Sequence, residues 1–365
     1  MTALRRVGPG LLPVLLAVAF ALVLLLLVGA APLQAFQHLI EGAFGTPEKI
    51  SDTLMAWVPL VLCASGLLIT FAAGLWNIGI EGQIVFGAIA AAWVAREVKT
   101  PAEVLIPLTM IGGIAGGVAW GLLVGGLRTF GKVNEIFGGL GLNFVAIGLT
   151  IYLIIGTWKR AGIASTSGTD TFPREAWLPT LEGLRLAPLA IVLAIAAVIV
   201  VYVLLRGTLF GLRLNAVGKN MRSAFLLGIP THRYMLIAFA LCGGFAGLAG
   251  AIQATGFHHK LVPAISGGYG YLGILVALLA GFRAAWIAPI ALFFAMITVG
   301  STQLQLRLNL DSSLGGVLQG TLVLFVLLAR GWQEKRKMKP VLRSPRPEGA
   351  GSAVEGAEPP LREGR

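Results

Sequence analysis

The chain has 365 residues, of which 56% are hydrophobic and only 12% are charged. A typical soluble domain carries roughly 25% charged residues, so this composition excludes an ordinary soluble protein. Apolar runs of roughly 20 residues, the length that crosses a bilayer core of about 30 Å, recur along the chain. The chain is therefore predicted to cross a membrane several times.

The net charge of +12 is unevenly distributed. The segment from Arg330 to the carboxyl terminus holds nine of the 28 Lys and Arg residues, and the loop 206–233 holds five with no acidic residue. Basic loops beside membrane-spanning helices remain on the cytoplasmic side. The charge therefore indicates membrane orientation, and we expect no nucleic-acid partner.

Apolar runs between polar breaks predict about ten spans. Backbone groups in lipid must be hydrogen-bonded within their own segment, so these spans are helices and the predicted fold is all-α. An even number of spans places both basic termini in the cytoplasm, together with the loop 206–233. The predicted spans are 11–33, 54–73, 78–95, 104–127, 135–156, 188–205, 234–256, 269–282, 286–304 and 313–330.

Two of the predicted spans are interrupted by glycine. The third opens with NIGIEGQ, and the eighth lies in the short sequence Gly267–Gly281. Interrupted helices at corresponding positions of two halves are typical of transporters, where they indicate the translocation path. We therefore predict two pseudo-symmetric five-helix halves within a transmembrane domain at 11–330. It is flanked by a cytoplasmic amino terminus at 1–10 and a basic, disordered tail at 331–365.

Gly126–Lys132 (GLRTFGK) has the spacing of a phosphate-binding loop. Such a loop requires Ser or Thr at the next position, between a strand and a helix. Val133 follows instead, between two predicted membrane helices. We therefore expect that ATP, if it drives this protein, is bound by a partner subunit.

Neither the cysteines nor the histidines predict a metal or haem site. Cys63 and Cys242 lie inside predicted spans without the spacing of metal ligands. The four histidines lie in loops or at span ends, whereas a membrane haem requires paired histidines within the spans. Since no catalytic cluster is present in the sequence either, we expect no cofactor, no bound metal and no enzymatic activity.

Glycine recurs every four residues on one predicted helix, at Gly113, Gly117, Gly121 and Gly125. A helix face without side chains lets the backbone of another helix approach closely. That neighbour could belong to the same chain or to a second copy, and we favour packing within the chain.

Three polar residues interrupt the apolar sequence GLWNIGIEGQ (Gly74–Gln83). An ionisable residue within a membrane span, here Glu81, is costly and is by default the basis of a functional-site hypothesis. Helical spacing would place Asn77 and Glu81 on one face, and the glycines would let the backbone break. Glu81 could bind backbone amides or a Lys or Arg at the cytoplasmic mouth, or it could contact a polar solute.

The same ten residues resemble a signature, G-L-F-N-I-G-x-E-G-Q, of ABC importer permease subunits. The signature belongs to the nucleoside branch of the branched-chain-amino-acid and simple-sugar permease superfamily, and this chain differs from it only at Trp76. Val133–Ile136 with Leu142–Phe144 is similar to that family's N-E-V…M-L-N element. Phe210–Ile229 resembles its cytoplasmic segment that docks on the ATPase.

The resemblance covers about residues 50–330 and implies a permease subunit that itself catalyses nothing. We assign to the translocation path or its gate Asn77, Glu81, Gln83, Asn143 and Gln253. We assign to the contact with the ATPase Arg213, Gly218, Asn220, Arg222, Ala224 and Gly228. Within that contact, Met221 stands where the family usually has Pro.

The family also implies the partners and the location. They are a second homologous permease, a cytoplasmic ATPase and an extracytoplasmic substrate-binding lipoprotein, assembled among the lipids of the cell (inner) membrane. The solute would be a nucleoside or a simple sugar. The competing hypothesis is an ion-coupled secondary transporter, which would need ligands for a coupling ion or a proton relay.

Overall fold

The computed structural model describes residues 31–160, 166–308 and 313–338, with scattered positions between 16 and 29. Within these residues the regular structure is helical and contains no strand, which confirms the all-α class. The predicted amino-terminal segment 1–10 lies outside the described residues, as does most of the amino-terminal half of the predicted span 11–33.

The first helices are α1 (Pro32–Phe44), α2 (Pro47–Ala72), α3 (Ile80–Glu97), α4 (Ala102–Thr129), α5 (Glu135–Ile155) and α6 (Pro188–Gly207). They are followed by α7 (Leu209–Lys219), α8 (Met221–Leu226), α9 (Thr231–Ile252), α10 (Tyr269–Leu279), α11 (Ile287–Leu308) and α12 (Ser313–Met338). A π-helical turn, Gln253–His258, extends α9. Short 3₁₀ turns lie at Arg174–Ala176 and Ala284–Trp286.

α1 occupies a connection between the first two predicted spans. Pro32 stands in its first turn, where a missing N–H is tolerated, and its buried side recurs at helical spacing. That side packs on α11 and consists of Ala35, Leu39, Gly42 and Ala43. The sequence does not predict this helix, because an amphipathic segment of 13 residues is too short and too polar to register as an apolar run.

α2 is the central helix of the molecule. Thr46 caps its amino terminus by accepting a hydrogen bond from the Lys49 N–H at 3.4 Å, and Pro47 occupies the first turn. The residues from Met55 to Thr70 are all buried, and α2 packs against α6, α9, α10 and α11. A helix that is apolar on every side belongs in such a core.

α4 and α9 approach each other along the glycine face of α4. A Cβ on Gly117 would lie 2.6 Å from the Gly247 Cα, and one on Gly113 would lie 2.9 Å from the Gly247 carbonyl oxygen. A Cβ on Gly121 would lie 3.3 Å from the Gly243 Cα. The glycine face therefore packs within the chain, as predicted.

Six helices of the described residues are long and apolar enough to cross a membrane. They are Pro47–Ala72, Ala102–Thr129, Glu135–Ile155, Pro188–Gly207, Thr231–His258 and Ala284–Leu308. Tyr269–Leu279 and Ser313–Ala329 are shorter apolar helices. The number of such helices makes the chain a multi-pass membrane protein. The arrangement of ten spans in two halves stays a prediction.

The carboxyl-terminal part of the chain differs from the expectation of a disordered tail over 331–365. α12 continues without a break to Met338, so residues 331–338 are helical. The remainder of that predicted tail, 339–365, lies outside the described residues. The sequence does not predict helix over 331–338, because these residues are polar and form no apolar run. A helix that has already formed can still extend into a segment that would not start one.

The contact between α4 and α9 predicts different effects of two alanine substitutions in one helix. Gly117→Ala places a Cβ against the backbone of α9, and overpacking of this kind costs about 1–3 kcal/mol. Gly126→Ala is the matched control, because no atom lies within 4 Å of its Cβ position. Thermal unfolding in detergent, followed by tryptophan fluorescence, should show a lower unfolding temperature for Gly117→Ala alone. Equal temperatures for both variants would contradict the close contact.

Candidate translocation site

Residues 73–79 connect α2 to α3 without helical structure. Gly74 has a φ of 73°, a left-handed conformation that glycine adopts without a steric penalty. The Leu75 N–H donates to the Thr70 carbonyl at 2.9 Å and ends α2. The predicted break in this sequence is therefore present, directly before the first turn of α3.

Asn77 lies in this break and pairs with Gln83. The Asn77 Nδ2 donates to Gln83 Oε1 at 3.0 Å, and the Gln83 Nε2 donates to Asn77 Oδ1 at 3.2 Å. Asn77 Nδ2 also donates to the Cys242 sulfur in α9 at 3.1 Å. The expectation that Asn77 and Glu81 share a helix face was wrong, because Asn77 precedes the helix.

Asn143 in α5 holds the other side of the break. Its Oδ1 accepts from the Gly82 N–H at 2.8 Å, and its Nδ2 donates to the Ile78 carbonyl at 3.0 Å. The same Nδ2 lies 3.2 Å from the Tyr271 hydroxyl. One amide side chain thus satisfies backbone groups that the interrupted helix leaves without partners, as buried polar groups require.

Glu81, in the first turn of α3, faces the amino terminus of α10. Its Oε1 accepts from the Tyr271 N–H at 3.1 Å, and the Gly270 N–H and the Ser266 hydroxyl also hydrogen-bond to the carboxylate. The side chain is 3% exposed. Because the first amides of a helix lack partners and carry partial positive charge, a carboxylate is a favourable acceptor there.

The two structural partners expected for Glu81 were backbone amides and a Lys or Arg. The described residues supply the amides, and their ion pairs do not include Glu81. Gly270 makes the approach possible, since a Cβ there would lie 3.1 Å from the Glu81 carboxylate carbon.

Gln253 reaches the same region from α9. It is 4% exposed and stands at the start of the π-helical turn, where its side chain hydrogen-bonds the Tyr269 hydroxyl. Three of the five residues assigned to the path, Glu81, Asn143 and Gln253, thus contact the first turn of α10. The other two, Asn77 and Gln83, pair with each other in and after the break.

The depth of this region follows from helix lengths. Asn77 contacts Cys242, which lies eleven residues beyond the first residue of α9, Thr231. At 1.5 Å per residue this is about 16 Å along the helix from its first residue, which places the contact within the apolar part of α9. Within a hydrocarbon core, non-helical backbone is tolerated only where it is buried in protein or lines a cavity.

The segment assigned to ATPase contact forms two short helices, α7 and α8. Thr208 caps α7 by accepting from the Gly211 N–H at 3.1 Å, and Asn220 caps α8 by accepting from the Ser223 N–H at 3.0 Å. α8 forms with Met221 at its first position because this cap supplies the missing partner. Gly228, with φ of 80°, ends the pair.

The exposed surface of this segment is both basic and apolar. Arg213 and Arg222 are exposed, and Phe225, Leu226 and Leu227 are 62%, 78% and 79% exposed. Apolar side chains this exposed on a short helix are typical of a surface that a partner covers.

Ala224 does not belong to that surface. It is 2% exposed and packs in the core, so its assignment to the ATPase contact was wrong. The neighbouring Phe225 and Leu226 are exposed instead.

Gly218 faces inward, toward the break after α2. A Cβ on Gly218 would lie 2.9 Å from the Gly74 nitrogen, and a Cβ on Gly74 would lie 2.9 Å from the Gly218 carbonyl oxygen. α7 therefore contacts the non-helical segment backbone to backbone.

The residues of the second interrupted element that meet Glu81 were not predicted. They are Ser266, Gly270 and Tyr271, the last through its backbone N–H. The available signal was the pair Gly267 and Gly268, with φ of 56° and 74°, which ends one segment directly before a short apolar helix. The GLRTFGK sequence, as expected, lies in no strand–helix unit, since α4 runs through Thr129.

The contacts of Glu81 predict that its two replacements differ. Glu81→Leu leaves the Gly270 and Tyr271 amides without an acceptor, at about 1–3 kcal/mol for each buried group. Glu81→Gln keeps an acceptor oxygen and the shape of the side chain. Membrane levels and unfolding temperature should fall strongly for the Leu variant and little for the Gln variant.

Glu97→Leu is the matched control for that experiment, because Glu97 is the exposed acid at the far end of the same helix. It should leave both quantities near those of the unmodified chain. A Glu81→Leu variant as stable as this control would contradict a structural role for the carboxylate.

Comparison with known proteins assigns the chain to a family. Residues 49–327 match the family described as branched-chain amino acid transport system / permease component. The "Glucose ABC transporter permease protein TsgB13" of Haloferax volcanii is 31% identical over 339 residues, which cover 90% of this chain and 89% of that protein.

Two relatives come from Bacillus subtilis. The "Guanosine ABC transporter permease protein NupP" is 27% identical over 87% of this chain and 91% of its own length. The "Guanosine ABC transporter permease protein NupQ" is 24% identical over 67% of this chain and 79% of its own length. With the helical fold and the interrupted elements, these matches show that the chain belongs to the permease component family of branched-chain amino acid transport systems.

Proposed function

We propose that the chain is the permease subunit of an ABC importer that moves a nucleoside-like solute or a simple sugar. The relatives at 31% and 27% identity are named for glucose and guanosine. Both solutes are neutral and carry a hydroxylated sugar ring. The solute moved by this chain would belong to that chemical class.

The observation that carries the proposal is the meeting of two interrupted helices inside the helical bundle. Glu81, at the first break, accepts the Tyr271 N–H at the second. Transporters place their paths at such discontinuous helices, where backbone groups are available near the midplane. In the proposed mechanism, opening of the path separates these two elements, and the five assigned residues exchange their partners for the solute or water.

The ATPase would drive this opening through α7 and α8. The exposed Phe225, Leu226 and Leu227 would fill a groove of the ATPase, as apolar side chains of a short helix do in helix-in-groove contacts. Because Gly218 contacts Gly74, a displacement of α7 would reach the break before α3 directly.

The proposed assembly contains four components. Bacillus subtilis has two guanosine ABC transporter permease proteins that resemble this chain, which supports pairing with a second homologous permease. A cytoplasmic ATPase would bind the ATP, and an extracytoplasmic lipoprotein would deliver the solute. Both termini would lie in the cytoplasm of a cell with this protein in its cell (inner) membrane. An even number of spans would put them on the same side as the basic loop 206–233, and basic loops stay cytoplasmic.

The ion-coupled hypothesis has less support. It requires Glu81 to bind a coupling ion or relay a proton, yet three donors of the α10 start already hold that carboxylate. The relatives reported above are ABC transporter permeases by name.

A cysteine at Ser223 tests the orientation of α8. Ser223 is exposed, whereas the native Cys63 and Cys242 are buried, so the new thiol reacts selectively. In intact cells it should resist a membrane-impermeant thiol reagent, and in the assembled complex it should crosslink to the ATPase. Glu103→Cys, exposed at the start of α4, should react from outside. Labelling of Ser223→Cys from outside would refute the proposed orientation.

Uptake by reconstituted proteoliposomes tests the function and the solute class. Vesicles with all four components and enclosed ATP should accumulate radiolabelled guanosine or glucose, and an ATPase variant without hydrolysis should not. Glu81→Gln complexes that assemble fully but transport poorly would show that the charge also gates the solute. Accumulation by the single chain under a proton or sodium gradient would instead establish the ion-coupled alternative.

A further inference from the structure

A cavity of about 370 Å³ opens where three spans end, beside α7. α2 and α6 supply two of its walls, and the turn between α10 and α11 supplies a third. Arg206, Lys219 and Arg283 line it, and no acidic side chain does. All three residues are exposed, and three cations on one concave surface without an acid give it a positive local potential.

These three cations lack carboxylate partners among the described residues. The ion pairs there join His38, Arg128 and Arg160 to acids, and do not involve the cavity. The contact recorded for Arg206 is with the Tyr202 ring, 5.3 Å from the guanidinium carbon to the centroid. The cavity therefore holds positive charge that the described part of the chain leaves uncompensated.

The cavity lies at the level of the lipid headgroups. Arg206 belongs to the last turn of α6, whose Val192, Ile199 and Val203 are 61%, 57% and 52% exposed toward the surroundings. Trp286, 54% exposed, follows the turn that carries Arg283. Aromatic and basic residues at span ends mark the membrane–water interface, while the exposed apolar face of α6 above them is suited to acyl chains.

We propose that this cavity binds the phosphate headgroup of an anionic phospholipid. The guanidinium groups of Arg206 and Arg283 would hold the phosphate oxygens, for which arginine has a matched two-pronged geometry. Lys219 would contribute a third charge, and the acyl chains would follow α6. Basic pockets between membrane helices are known to select anionic headgroups.

The lipid would also act on α7. Asn215, Gly218 and Lys219 of α7 line the same cavity as Ala72 at the end of α2. A phosphate held between Lys219 and Arg206 would therefore fix α7 against the break, where Gly218 meets Gly74. Anionic lipid would thus stabilise the contact through which the ATPase is proposed to act. The binding site itself does not depend on that proposed function.

Thermal unfolding of the purified, delipidated full chain in detergent tests the site. Added phosphatidylglycerol should raise the unfolding temperature by about 3 °C or more, whereas phosphatidylcholine and inorganic phosphate should not. The double variant Arg206→Gln/Arg283→Gln should need roughly 10- to 30-fold more phosphatidylglycerol for the same shift. The phosphatidylglycerol requirement of the single variant Arg283→Gln should lie between those of the unmodified chain and the double variant. This single variant provides the test if the double variant does not fold.

Lys132→Gln/Arg233→Gln is the matched control, since both residues are exposed, lie outside the cavity and carry the same total charge. It should respond to phosphatidylglycerol like the unmodified chain. If both double variants lost the response to phosphatidylglycerol equally, net charge alone would explain the effect. That result would overturn the proposal. The same shift with inorganic phosphate would assign the cavity to a free anion instead. The double variant Arg206→Gln/Arg283→Gln could instead keep the lipid response of the unmodified chain and bind the ATPase more weakly. That result would overturn the lipid site and assign the cavity to an acidic segment of the ATPase.

Discussion

A carboxylate near the middle of a bilayer is tolerated only where donors replace the water it has lost. Glu81 finds them at the amino terminus of α10, where Ser266, Gly270 and Tyr271 hydrogen-bond to it. The need is mutual, because the first amides of α10 have no partners within their own helix. Two breaks that would each be unstable alone therefore stabilise one another, and the positions of α3 and α10 depend on that contact.

Close backbone contacts extend this arrangement to the surface of the protein. Gly74 and Gly218 bring α7 against the break before α3, and Gly82 accommodates the Asn143 side chain that holds the break. Packed interiors do not deform continuously, so a displacement at one end of such a chain of contacts repositions the next element. The cationic cavity beside α7 lies at the start of this route, which explains how a lipid bound there would influence it.

The all-α class and the break at Gly74–Gln83 could be predicted, because both follow from local composition and from glycine. The partners of the polar residues could not. Glu81 meets Tyr271, 190 residues away, and apolar periodicity contains no information about that pairing. Ala224 was misassigned for a related reason, since the sequence does not specify which side of a six-residue helix faces the core.

Hydrogen exchange measured by mass spectrometry on the assembled transporter tests the central claim, that Glu81 joins the two interrupted helices and that α7 controls the junction. The amides of 74–83 and 266–271 should be protected without nucleotide, because side chains and packing hold them. In the ATP-bound state trapped with a hydrolysis-deficient ATPase, exchange in both segments should rise together with that of 209–226. Unchanged protection of the two segments while 209–226 responds would contradict the account.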